Sequence, residues 1–171
     1  MPIALDGGEG HGQNRSIQDS ALRIEAIEAP ERLHAIAPAW RDLAAHAGEP
    51  NIFYEPMAVL PALALPAAEG MTCLAAWLPC GERLAGLLPV KPWKRKNPLL
   101  LTALEAWEYT LRESADPLVR RGVEHAFWGA LLPHLDRAPG GCSALRLSKL
   151  HADRACVAAL HGVAERLRRP L

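Results

Sequence analysis

The sequence predicts an α/β (α+β) chain, a mixed sheet flanked by helices on both faces. Three observations predict it. Segments of period-2 alternation and short apolar runs interleave with segments of helical spacing. Proline and glycine punctuate the boundaries between them. With 171 residues, half of them hydrophobic and 22% charged, the chain can bury one ordinary core, and a single domain over 21–171 follows.

Residues 1–20 are Gly-rich and polar with no hydrophobic h-region, which reads as a disordered lead-in and not a secretory signal. Leu22 to Glu28 largely alternates apolar and polar, the mark of a strand with one buried face. Leu33, Ile36, Trp40 and Leu43 fall at helical spacing but Pro38 interrupts them. The spacing therefore predicts a short turn, then a helix from Pro38 to about His46, with Gly48 as the stop. Pro56 opens a second short helix through Leu63 after the aromatic linker Asn51–Glu55, and Pro66 closes it.

Met71–Leu78 and Arg83–Val90 read as a hairpin around Pro79-Cys80-Gly81-Glu82. Leu99–Leu104 is a further, near-continuously apolar strand, as expected of a central position. Glu105–Ser114 is ambiguous. Asp116-Pro117 reads as a helix start, with Leu118, Val123, Phe127, Leu131 and Leu135 forming an apolar face behind it. Pro139-Gly140-Gly141 breaks the chain and Ser143–Leu147 is a short strand. Asp153 then caps a last helix with Val157, Leu160, Val163 or Ala164, and Leu167 on its apolar face.

Composition narrows the function classes. Nineteen basic residues balance nineteen acidic ones, whereas a nucleic-acid binder shows a basic excess or stripe. The densest basic run, Lys91 to Lys96, is a solvated loop or a contact for an anionic ligand or partner. The longest apolar stretch, Met57–Ala68, holds Pro61 and Pro66 and is too short to span a bilayer. Cys73, Cys80, Cys142 and Cys156 lack paired spacing and histidines at zinc-ligand offsets. Neither a nucleic acid, a membrane nor a metal is expected, and the cysteines read as reduced, in a cytoplasmic protein.

Few residues offer chemistry. Glu105, Glu108 and Glu113 flank Trp107 and Tyr109; a carboxylate beside aromatics suits a general base for a substrate amine, and an exposed loop over packed aromatics suits the same residues. Trp107, Glu108 and Tyr109 are the candidate substrate-binding residues of any groove there. His125 and His134 lie near opposite sides of one helix with no ligand partner at i+4. Ser114 and Ser143 sit in no nucleophile elbow, and no nucleophile signature surrounds a cysteine.

The order of elements is similar to the first nine elements of the GNAT acyltransferase fold, without its last two strands. Trp40-Arg41-Asp42-Leu43, Asn51-Ile52-Phe53-Tyr54-Glu55-Pro56 and Leu84-Ala85-Gly86-Leu87-Leu88-Pro89-Val90 resemble the front part of CelD-like (cellulose-biosynthesis-type) proteins. Asp116-Pro117-Leu118-Val119 and Leu145-Arg146-Leu147-Ser148-Lys149-Leu150 extend the likeness over roughly residues 22–168. These proteins are related to the FemAB-type tandem-GNAT enzymes. The resemblance implies two GNAT-like halves, with acetyl-CoA or acyl-CoA bound by the second, and this chain is similar to the first.

Phosphate binding in that fold uses backbone N–H groups at a glycine-rich helix start, R/Q-x-x-G-x-G/A. Here Asp116 to Ala126 offers a lone Gly122, so no cofactor site is expected in this chain. The expected role is a non-catalytic half that packs against a catalytic GNAT half and forms one wall of a small-molecule acceptor site. A stand-alone interaction domain that self-associates through an uncovered strand edge is the alternative. A third is a complete small enzyme using Glu108 or a cysteine.

Overall fold

The computed structural model describes residues 22–93, 103–108, 114–138 and 142–171. The lead-in expected over 1–20, the start of the strand expected at Leu99, Tyr109, Glu113 and the break at Pro139-Gly140-Gly141 lie outside them.

The elements run β1 (Arg23–Ile27), α1 (Pro30–Ala35), α2 (Ala37–Ala45), α3 (Pro56–Ala62), β2 (Thr72–Trp77), β3 (Leu84–Pro92), β4 (Ala103–Ala106), β5 (Leu118–Val119), α4 (Glu124–Arg137), β6 (Ala144–Arg146) and α5 (Ala155–Arg166). The sheet is ordered β1-β2-β3-β4-β6, with β5 on β3 as well. All pairs are antiparallel except β4 with β6, so the sheet is mixed as the element order predicts.

β3 organises the domain. Its far end, Val90 to Pro92, pairs with β4, and its near end, Gly86 and Leu87, pairs with β5. Both neighbours share one edge, and the chain leaves it at Trp107 and rejoins it at Leu118. Trp107 N donates to Pro89 O at 2.9 Å and Arg120 N to Ala85 O at 2.8 Å, marking the two ends of that excursion. Leu84 to Val90 are all buried, which requires cover on both faces of the sheet. One cover is α4: Gly86 faces Phe127 so closely that a Cβ would lie 2.4 Å from the ring. On the other face Glu25 of β1 accepts hydrogen bonds from Arg32 of α1, at 2.9 Å, and from the Trp77 indole, at 2.7 Å.

Four of the five tryptophans are buried in the core, and Trp93 is half-buried. Trp40, Trp107 and Trp128 are fully buried together with Tyr54 and Phe127. Each indole N–H finds a carbonyl: Trp40 on Tyr54 O, Trp107 on Ala67 O, Trp128 on Cys156 O. The Trp128 bond ties α4 to α5.

Three expectations are corrected. Asp116-Pro117 does not start a helix. Leu118 and Val119 extend as β5 because β3 offers them ladder partners, and a helix can begin only after the chain turns at Gly122, whose φ is +83°. Nor does Asp153 cap α5. The first amide of that helix, Ala155 N, is met at 2.6 Å by the Glu49 carboxylate, from the loop after α2. The short turn expected before Pro38 is a six-residue helix, α1, opened by Pro30.

Candidate functional site

The candidate site lies where three loops meet: the one after α2, the one between β4 and β5, and the one between β6 and α5. Asp116 is the hub. It is only 4% exposed, one of two buried polar side chains among the described residues, the other being Asn51. Its Oδ2 accepts from Ser114 Oγ at 2.7 Å and lies 2.6 Å from His151 Nδ1, while Oδ1 accepts from His151 N at 3.3 Å. Asn51 Nδ2 donates to Asp116 O at 2.7 Å. A buried carboxylate requires several donors: Ser114 supplies one locally and the distant His151 segment the others, while Asn51 holds the Asp116 backbone carbonyl.

Locally, Ser114 Oγ also accepts from Asp116 N at 3.0 Å, a turn that aims the carboxylate inward. The third loop is shaped by Lys149, whose φ of +57° is the left-handed region, and whose carbonyl accepts from Ala115 N at 3.3 Å. That bend sets Ser148 on Glu108, to which it hydrogen-bonds, and His151 on Asp116. The His151 side chain keeps 48% of its surface in solvent. Next along, Arg154 Nε is buried with no hydrogen-bond partner among the described residues.

Of the candidate substrate-binding residues, Trp107 is fully buried, its N–H on Ala67 O, and it builds the core. Glu108 is half-buried and belongs to the cluster through Ser148. Tyr109 lies outside the described residues. Glu105 faces elsewhere, between Lys91 at 3.7 Å and Arg146 at 3.5 Å. His151 lies in no motif, and only its meeting with Asp116 in the fold singles it out; Asn51 belongs to the Asn51–Pro56 segment, and the fold adds its bond to Asp116 O.

The turn into α4 falls within the Asp116–Ala126 stretch. Its amides are engaged: Arg120 N on Ala85 O, Arg121 N on His46 O at 3.1 Å, and Gly122 N on Glu124 Oε1 at 3.0 Å. Glu124, not Asp116, puts a carboxylate at this helix start. An anion at the Gly122 amide would have to displace it.

Nearby, Arg120 reaches Asp42 at 2.5 Å and Leu84 O at 3.2 Å. The Arg120 hydrogen bond, against some loss of solvation, holds the Asp42 carboxyl below its ordinary range. All four cysteines are free; burial pushes the Cys73 and Cys156 thiols up to about 12. Among the described residues no three His, Cys, Asp or Glu side chains converge to hold a metal, and no helix is long and apolar enough to cross a membrane. No family model, curated protein or solved structure matches the chain.

Proposed function

We propose that this chain is the acceptor-side lobe of an acyl-CoA-dependent N-acyltransferase, a GNAT-like N-terminal half that does not itself carry acyl-CoA. The observation behind this reading is the turn into α4, where Glu124 occupies Gly122 N and the neighbouring amides bind the domain's own carbonyls. Acetyl-CoA or another acyl-CoA would then be held by a catalytic half packed against this one. The three-loop cluster around Asp116 and Glu108 is the polar surface this lobe would present to an acceptor. Calorimetric titration with acetyl-CoA tests the reading. No binding heat is expected from this chain, and a micromolar Kd would overturn it.

The arrangement at β6 favours a second reading, an interaction domain that self-associates. β6 ends the sheet among the described residues, with Ala144 and Arg146 exposed. Beside it runs a groove of about 810 Å³ lined by Leu132, Leu145, Leu147, Val157 and Leu160. A sheet end next to an apolar groove invites strand addition. Light scattering over a concentration series separates the two readings: dimer growth with concentration supports the second, and a monomer throughout removes it.

A further inference from the structure

We infer that His151 is a general base, its Nε2 free to take a proton from an amine or hydroxyl ligand, with Asp116 as the positioning residue behind it. This rests on the acceptor-lobe reading for the ligand's class, and on geometry alone for the base. Asp116 Oδ2 lies 2.6 Å from Nδ1 and already accepts the Ser114 hydroxyl proton, so its lone pairs call for a proton on Nδ1. A neutral imidazole protonated at Nδ1 bears its lone pair on Nε2. Because Asp116 is buried while half of the His151 surface is not, the buried end of the ring is anchored and the other end is open to solvent.

The second contact between these residues, His151 N on Asp116 Oδ1, fixes the backbone as well as the ring. Both therefore hold a single relative geometry, the condition for efficient proton transfer.

The serines at hand are not nucleophiles in this arrangement. Ser114 gives its proton to Asp116 and Ser148 gives its proton to Glu108. The base is thus directed at an external group and not at a serine hydroxyl, unlike a hydrolase triad. In the step, an N–H or O–H bond of the ligand breaks and its electron pair stays on the ligand. The proton moves to Nε2, and the resulting imidazolium is balanced by the Asp116 carboxylate. The proton then leaves to solvent.

Histidine-labelled protein tests the proposal by long-range ¹H–¹⁵N spectra. In the wild type His151 is expected as the Nδ1–H tautomer, and ethanolamine, which carries both an amine and a hydroxyl, should shift its Nε2 resonance at millimolar concentration. Exposed His34 serves as the control and should not move. Diethyl pyrocarbonate should carbethoxylate His151 several-fold faster than His34. Asp116→Asn should lose the Nδ1–H tautomer and bring that rate down to the His34 value. If Asp116→Asn does not fold, the tautomer and ethanolamine readouts on the wild type still decide. An Nε2–H tautomer, no ethanolamine shift, or His151 reacting no faster than His34 overturns the proposal. Tight acetyl-CoA binding with these results intact would remove the acceptor-lobe reading and leave the base.

Discussion

The Phe127 ring of α4 occupies the space that a side chain on Gly86 of β3 would need, with ring carbons 2.4 and 2.7 Å from an ideal Cβ position. Gly86 is the contact through which the helix lies flat on the sheet. Its φ is not in the left-handed region, so the requirement is room and not backbone freedom.

Gly86→Ala is accordingly expected to destabilise the domain by about 2 kcal/mol, the cost of forcing a well-packed core apart. Phe127→Leu in the same chain should recover part of the loss. Urea denaturation of the two single variants and the double variant measures the coupling; strictly additive effects would contradict the contact.

Tyr54 OH donates to Trp107 O at 3.1 Å, both residues being fully buried. Tyr54→Phe removes that donor and should cost about 1–2 kcal/mol. Thermal unfolding checks it, and an unchanged Tm would show that the bond contributes nothing net.

The Arg120–Asp42 pair predicts the acid response. Because the folded carboxyl is held below its ordinary value, the pair's stabilisation is fully present above the ordinary aspartate range. It is lost as pH falls through the lower, folded value. Asp42→Asn should therefore cost roughly 1 kcal/mol near neutrality and little in acid. Denaturant curves from pH 6 downward should show the wild type and the variant converging.

Thiol chemistry should sort the cysteines by burial. Cys80 is exposed and is expected to react rapidly with a disulfide reagent at pH 8. Cys73 and Cys156, buried and pushed up to about 12, should react only on unfolding. Mass mapping after brief labelling distinguishes them.

Much of the fold was legible because it repeats a period. The hairpin of β2 and β3 followed from apolar runs around Gly81, and α5 buries Val157, Leu160, Val163 and Ala164 as their spacing implied. β5 was not legible: two residues are too short to display alternation, and Asp116-Pro117 before them imitates a helix start. The site was half legible. Glu108 stood out as a carboxylate among aromatics, whereas His151 lies in a loop with no motif and acquires meaning only from Asp116, 35 residues away.

By itself, the sequence determined the mixed α/β class and the order of the main elements, since these depend on local periodicity and on how much apolar surface must be buried. Tertiary structure decided the rest: that Leu118 and Val119 join β3, that Glu49 caps α5, and that Asp116 meets His151. The physical reason is common to all three. A lone backbone amide or buried carboxylate must find a partner, and which one it finds is settled by the loops that packing brings alongside it, not by its neighbours in the chain.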